Sequence, residues 1–102
     1  MSDAGRPSLV HDGPATRSLD VEVPNRLGMH ARPCAEFVKL ASGFSSSITV
    51  RKERLSVNGK SIMGVLMLAA EKGSSLTITA EGDDASVAVR ALARLVRGGF
   101  GE

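Results

Sequence analysis

The sequence predicts an α+β fold, an open-faced β-sandwich in which three helices cover one face of a four-stranded antiparallel sheet. Segments in which apolar and polar residues alternate are interleaved with segments of helical periodicity, in the order βαββαβα. Strands that alternate in this way have one covered and one wet face, so helices on a single side satisfy them. With 102 residues, the chain has room for one domain and one modest core.

Four segments alternate between apolar and polar residues, which is typical of half-buried strands. The first begins at Ser18, and a polar turn at 52–54 joins the second to the third. The apolar residues that we expect on the covered face are Leu19, Val21 and Val23 in the first strand, Phe44, Ile48 and Val50 in the second, Leu55 and Val57 in the third, and Leu76, Ile78 and Ala80 in the fourth.

Apolar residues at helical spacing predict three helices, over 31–41, 61–70 and 84–97. A glycine follows shortly after each of them, as is common where helices end. The last helix has acidic residues at its start and arginines towards its end, an order that the helix dipole stabilises.

The chain divides into a leader, a domain and a tail. Residues 1–17 are rich in Gly, Pro, Ser and Asp and have no sustained period, so we expect a flexible leader. The folded domain is expected to span 18–99, with 100–102 as a tail. His11 lies in the leader, where we expect a solvated side chain rather than a ligand.

The composition argues against several classes of function. The net charge of +2 is small, and no Trp or Tyr is present to stack on bases, so we do not expect nucleic-acid binding. The sequence shows neither a signal peptide nor a membrane-spanning stretch, and its one cysteine cannot form an intramolecular disulfide. We therefore expect a cytoplasmic monomer that binds no membrane, metal or cofactor.

His30 lies where a loop meets the first helix, within residues 28–33 (GMHARP). Pro33 supports this placement, because proline is tolerated in the first helical turn, where its missing N–H has no partner. The free amides and the dipole of such a helix end attract phosphate. Arg32 can supply a fork of charged donors to phosphoryl oxygens. These residues predict a phosphoryl-accepting histidine; the alternative is an ordinary surface histidine.

Residues 25–33 (NRLGMHARP) closely resemble the active-site segment of the HPr family, the histidine-containing phosphocarriers of the bacterial phosphoenolpyruvate-dependent sugar phosphotransferase system. The resemblance continues through 57–64 (VNGKSIMG) and covers Ser18 to Gly98. It implies that His30 accepts a phosphoryl group on Nδ1 from phosphorylated Enzyme I and passes it to an EIIA-type domain. Arg32 is implied to steady the phosphate.

Ser61 stands immediately before the second predicted helix, where a serine is a favoured N-cap. The full capping box is missing, because Gly64 occupies the position of its Glu or Gln. The segment 60–64 (KSIMG) also resembles the form found in HPr proteins that HPr kinase/phosphorylase phosphorylates on serine. A phosphoserine fits at a helix start and repels acidic partners. Ser61 is thus a candidate cap and a candidate regulatory phosphosite.

The second predicted helix has almost no polar face. Such a helix is either fully buried or half-buried with an apolar outer side, and a small chain favours the latter. We expect Met29 and Met63 to lie outside and, with Ile62 and Leu66, to form an adaptable surface for several partners. The alternative is that the methionines fill the core.

Three functions remain open. The first is a phosphocarrier, and the second is a regulatory HPr-like module that controls a transcriptional regulator or a kinase without sugar transport. The third is a Cys/His hydrolase using Cys34, for which no third orienting group can be identified. His30 together with Arg32 favours the first, because a purely regulatory relative can dispense with the histidine. Cys34 is expected to be a small core residue.

Overall fold

The structure, a computed structural model, describes residues 15–102. Along the chain the elements are β1 (Thr16–Glu22), α1 (Ala31–Ser42), β2 (Ser47–Lys52), β3 (Leu55–Asn58), α2 (Ile62–Met67), β4 (Ser75–Glu81), α3 (Ala85–Arg97) and a 3₁₀ helix (Gly99–Gly101). The four strands pair antiparallel in the spatial order β1-β4-β2-β3. The predicted α+β sandwich with the order βαββαβα is confirmed.

The core lies between the sheet and the helices. β4, at the centre of the sheet, shows the alternation most clearly, because Leu76, Ile78 and Ala80 are buried and the residues between them are only half-buried. β2 adds Ile48 and Val50 to the same core. The helices α1 and α3 each bury one apolar face, formed by Pro33, Cys34, Phe37, Val38 and Ala41 in α1 and by Ala85, Ala88, Val89, Leu92, Ala93 and Val96 in α3. Burial of these side chains stabilises the domain.

The second strand begins later than its alternation predicts. β2 starts at Ser47 rather than near Phe44, because the amides of Ser45 and Ser46 donate to the carboxylate of Asp84, each at 2.9 Å. The Ser46 hydroxyl donates to the same carboxylate. This hydroxyl and the two amides lower the pKa of Asp84 to about 2. Asp84 therefore ties the start of β2 to the start of α3.

The second helix ends earlier than predicted. α2 stops at Met67 instead of continuing to residue 70, because Ala69 adopts a left-handed conformation with φ of 49°. The ammonium of Lys52 donates to the carbonyl oxygens of Leu68 and Ala69, at 3.1 and 3.3 Å. A cation at this position satisfies carbonyl groups that the end of the helix leaves without partners.

The third strand does not bury its apolar residues as predicted. β3 lies at the edge of the sheet, where the short helix α2 packs against it. Leu55 is 43% exposed, and Val57 is half-buried. The prediction that both side chains face the core is therefore wrong for Leu55.

The first strand extends into the segment that the sequence assigns to the leader. Thr16 and Arg17 pair with Glu81 and Ala80 of β4, so the sheet begins before Ser18. His11 and the remainder of the predicted leader lie outside the described residues. In the part of the chain that the structure describes, no helix has both the length and the hydropathy of a membrane span.

Candidate functional site

His30 is the N-cap residue of α1, as the sequence predicts. Its backbone is extended, with φ of −80° and ψ of −171°, and its carbonyl oxygen accepts the first helical hydrogen bond from Cys34 N at 3.0 Å. The imidazole makes no capping hydrogen bond to the helix. The amides of Ala31 and Arg32 therefore stay without an intrahelical acceptor, and the positive end of α1 is available to an anion.

The loop before His30 is seated on the segment that follows α2. Met29 N donates to the carbonyl oxygen of Ala70 at 2.8 Å. Gly28 has φ of +68°, and a Cβ at this position would lie 2.5 Å from the same oxygen. Only glycine combines that conformation with such a close approach. The loop thus places His30 beside the residues that follow α2.

A carboxylate that the sequence does not predict lies against the imidazole. Glu102 Oε2 is 2.6 Å from His30 Nε2 and 2.6 Å from Arg32 Nη2. Its other oxygen, Oε1, accepts a hydrogen bond from Asn25 Nδ2 at 2.8 Å. These three partners, with the hydrogen bond from Asn25 first in effect, lower the pKa of Glu102 to about 2. Glu102 is therefore a carboxylate at neutral pH.

Glu102 reaches the site because the chain after α3 turns back. Phe100 is buried in the core, and Gly99, Phe100 and Gly101 all have positive φ angles, of 67°, 58° and 74°. Glu102 N then donates to Gly99 O at 3.0 Å. Residues 100–102 thus differ from the predicted tail, because burial of the Phe100 ring anchors them. A phenylalanine between two glycines after the last helix is the signal in the sequence for this return.

Arg32 lies near His30, as predicted, and its guanidinium already donates hydrogen bonds to three groups. It donates to Glu36 one turn along α1, to Glu102, and to the carbonyl oxygen of Phe100 at 3.2 Å. The hydrogen bond to Glu102 is the largest cause of a raised pKa for Arg32. Arg32 is therefore a permanent cation beside His30, and it has more N–H donors than these three contacts use.

Asn25 links the loop to the carboxylate. Its side chain is 94% buried, and its Nδ2 donates both to Glu102 and to the carbonyl oxygen of Gly28, the latter at 2.7 Å. Both neighbours are acceptors, which assigns the amide orientation. Its Oδ1 has no hydrogen-bond partner among the residues described. Asn25 therefore fixes the position of Glu102 from the side opposite Arg32.

An open cleft of about 550 Å³ adjoins this cluster. Its lining includes Arg26 and Leu27 from the loop, with Arg32 and Glu102 from the site itself. Leu27 is 66% exposed, so the cleft combines guanidinium groups with an apolar wall. The surface beside His30 thus offers both charge and apolar area to a docking protein.

The predicted docking residues differ in their exposure to solvent. Met63 and Ile62 are exposed, at 70% and 46%, and Leu66 is half-buried. Met29 is only 5% exposed, so the expectation that it lies outside is wrong. Its backbone is held against the segment after α2, which turns its side chain into the core cluster. Met67, on the same helix, is also exposed, at 65%.

Ser61 is the N-cap of α2, as predicted. Its Oγ accepts a hydrogen bond from Gly64 N at 3.1 Å, and its backbone is extended with φ of −115°. The residue is half-buried. The capping prediction is confirmed.

Cys34 lies in the core. Its side chain is fully buried, its Sγ donates to the carbonyl oxygen of Met29 at 3.2 Å, and burial raises the pKa of the thiol. A buried thiol with a raised pKa is a poor nucleophile. The predicted core role is confirmed.

The chain is similar to known proteins over most of its length. The family model described as "PTS HPr component phosphorylation site" matches residues 18–98. The phosphocarrier protein HPr of Neisseria meningitidis serogroup A is 48% identical over 82 residues, which are 80% of this chain and 92% of that protein. The HPr-like protein Crh of Halalkalibacterium halodurans is 46% identical over 72 residues, which are 71% of this chain and 86% of that protein. The crystal structure of an HPr from Thermoanaerobacter tengcongensis is similar with a TM-score of 0.81 and 45% identity, and the match covers 84% of this chain and 97% of that one.

The fold and the site define a small α+β protein in which a histidine, an arginine and a carboxylate meet at the start of a helix. The chain belongs to the HPr family, the phosphocarriers of the phosphotransferase system. A protein of this family carries a phosphoryl group and is not itself a catalyst.

Proposed function

We propose that His30 is the phosphoryl acceptor of this phosphocarrier. The single observation that supports this most strongly is its position as an N-cap whose side chain makes no bond to its own helix. The amides at the start of α1 and the dipole of that helix stabilise an anion beside the ring. Phosphoryl transfer requires mainly positioning and charge stabilisation, and both are present here.

Arg32 is the cation that holds the phosphoryl group in this proposal. Its guanidinium is within reach of the imidazole, since both contact the same oxygen of Glu102. Phosphoryl oxygens carry more charge than a carboxylate, so they compete effectively for the guanidinium fork. The guanidinium has five N–H donors, so Arg32 can bind the arriving group while it keeps Glu102 as a partner.

The proposed donor is phosphorylated Enzyme I, and the proposed acceptors are EIIA-type domains. Both would dock on the exposed apolar surface of α2, formed by Ile62 and Met63 with the edge of Leu66, and on Leu27 beside the cleft. Flexible methionine side chains adapt to more than one partner. The protein acts as a monomer in this scheme, and its partners dock one after another on the same surface.

The test is incubation with phosphoenolpyruvate and Enzyme I. We expect the wild type to acquire one acid-labile phosphate, which His30→Ala loses and Ser61→Ala keeps. Transfer to an EIIA-type domain should follow when that domain is added. Cys34→Ser serves as the control for the hydrolase alternative and should label normally. A wild type that remains unlabelled contradicts the proposal.

We propose in addition that Ser61 is a regulatory phosphosite for HPr kinase/phosphorylase. A phosphate on its Oγ would lie at the start of α2, beside the exposed Met63 and Ile62, and so inside the proposed docking surface. The added negative charge would repel an acidic partner and could favour a transcriptional regulator instead. Incubation with ATP and the kinase tests this proposal. If Ser61 stays unlabelled, the proposal fails and the residue serves only as the N-cap of α2.

A further inference from the structure

The contact between His30 and Glu102 involves one of the two ring nitrogens of His30 and leaves the other uncovered. We propose that Glu102 is a positioning residue that holds the Nε2–H of His30 and so directs the phosphoryl group to Nδ1. This inference rests on the proposed function of His30 and assigns a role to a residue that the sequence does not single out.

The geometry determines where the ring hydrogen sits. A carboxylate can only accept hydrogen bonds, so the 2.6 Å contact between Glu102 Oε2 and His30 Nε2 requires a hydrogen on Nε2. A neutral imidazole has one N–H, and its lone pair then lies on Nδ1. Nε2 is thus both occupied by a hydrogen and covered by the carboxylate, whereas Nδ1 keeps a free lone pair.

The carboxylate is itself held in place from two sides. Asn25 Nδ2 donates to Oε1 at 2.8 Å, and Arg32 Nη2 donates to Oε2 at 2.6 Å. Phe100, buried in the core, anchors the left-handed turn at Gly99–Gly101 that leads to Glu102. A carboxylate fixed in this way orients the ring and selects one tautomer, as second partners of histidine commonly do.

The same contact favours the transfer step. The Nδ1 lone pair forms the new N–P bond while the bond from phosphorus to the leaving group breaks, so the ring gains positive charge. The Nε2–H remains on the ring, hydrogen-bonded to Glu102, and the carboxylate stabilises that charge. Arg32 donates to the same carboxylate and limits its repulsion of the incoming phosphoryl group.

Phosphoramidate tests the inference without a partner protein. This small donor transfers its phosphoryl group to the histidine and releases ammonia, and the two phosphohistidine isomers are separable by ³¹P NMR. We expect the Nδ1 isomer to dominate for wild-type protein. In Glu102→Ala the uncovered Nε2 competes, and the ratio of Nδ1 to Nε2 product should fall by about tenfold, the effect of one charge-assisted hydrogen bond.

Glu36→Ala is the matched control. Glu36 is the other carboxylate partner of Arg32, but no contact joins it to His30, so this variant removes one partner of Arg32 and leaves the ring contact intact. Its isomer ratio should equal that of the wild type. An unchanged ratio in Glu102→Ala, or an equal change in Glu36→Ala, overturns the inference.

A spectroscopic measurement separates this inference from the proposed function. Long-range ¹H–¹⁵N spectra of the unphosphorylated wild type should show that the neutral ring of His30 carries its hydrogen on Nε2 and not on Nδ1. The slowly exchanging Nε2 proton should disappear in Glu102→Ala and persist in Glu36→Ala. If Enzyme I fails to phosphorylate the wild type but these spectra are as expected, the carrier proposal fails and the positioning role stands. A protonated Nδ1 in the wild type overturns the positioning role, whatever Enzyme I does.

Discussion

The starts of α1 and α2 each carry a candidate phosphoryl acceptor, yet they use their N-cap residues in opposite ways. Ser61 turns its hydroxyl inward and satisfies the amide of Gly64. His30 makes no bond to its helix and directs its Nε2 to Glu102. The start of α2 is therefore closed by its own side chain, whereas the start of α1 leaves its amides for another anion.

The difference indicates which of the two helix starts suits a phosphoryl group that is transferred reversibly. At α1 the first amides have no intrahelical acceptor, and the carboxylate beside the ring is fixed by Asn25 and Arg32. At α2 a phosphate on Ser61 would have to take over the amide that the hydroxyl now occupies. Reversible transfer suits the first arrangement, and a longer-lived regulatory mark suits the second.

The largest effect is expected in the loop before α1, where Gly28 packs against the segment that follows α2. In Gly28→Ala, the new Cβ would meet the carbonyl oxygen of Ala70 at 2.5 Å in a backbone with φ of +68°. Strain and overpacking together should lower the free energy of unfolding by about 4 kcal/mol in urea denaturation. Gly101→Ala, with φ of +74° and nothing within 4 Å, is the control and should cost only about 1 kcal/mol. Equal losses in the two variants would show that the contact with Ala70 is unimportant.

The two methionines that flank the sites should differ next most strongly. Met29→Ala removes a buried side chain, and we expect a loss of about 3 kcal/mol in unfolding free energy. Met63→Ala removes a side chain that is 70% exposed, so the unfolding free energy of this variant should stay within about 0.5 kcal/mol of the wild-type value. Titration with Enzyme I should show the reverse order, with weaker binding by Met63→Ala. Normal binding by that variant would remove α2 from the docking surface.

Burial of Met29 illustrates what the sequence could not predict. Periodicity is enough to place strands and helices, and the alternation of β4 matches its burial throughout. A single residue in a loop has no period, so the orientation of Met29 depends on the bond between its amide and Ala70. The same holds for the start of β2, which the distant Asp84 sets through its carboxylate.

The candidate site was predictable only in its local part. His30 and Arg32 lie within one segment, where the proline and the helix start indicate their chemistry. Glu102 is separated from His30 by 72 positions, and only the fold brings the two together. The return of the chain depends on burial of Phe100, and the glycines on either side of it indicate a turn but not where the turn leads.

The two N-caps should differ in their effect on stability by about 1 kcal/mol. Ser61→Ala removes the hydrogen bond to Gly64 N, and loss of such a cap typically costs about 1 kcal/mol. His30→Ala removes no capping bond, and a substitution at this half-buried position should stay within about 0.5 kcal/mol of the wild type. Ser61→Asp is the control, because aspartate caps as well as serine and should restore stability. Equal losses in both alanine variants would mean that the two helix starts are not distinct.

The smallest effect concerns acid, to which only one of the two sites should respond. The partners of Glu102 lower its pKa to about 2 from the ordinary value of 4.5, so its contacts stabilise the fold fully above pH 4.5 and are lost as the pH falls through about 2. Within that window, NMR signals of the Asn25 side-chain amide and the His30 ring should shift, since both contact the carboxylate. The amide of Gly64 should not, because the Ser61 hydroxyl that it contacts does not titrate. In Glu102→Gln the acid-dependent shift at Asn25 should vanish, and its persistence would place the titrating group elsewhere.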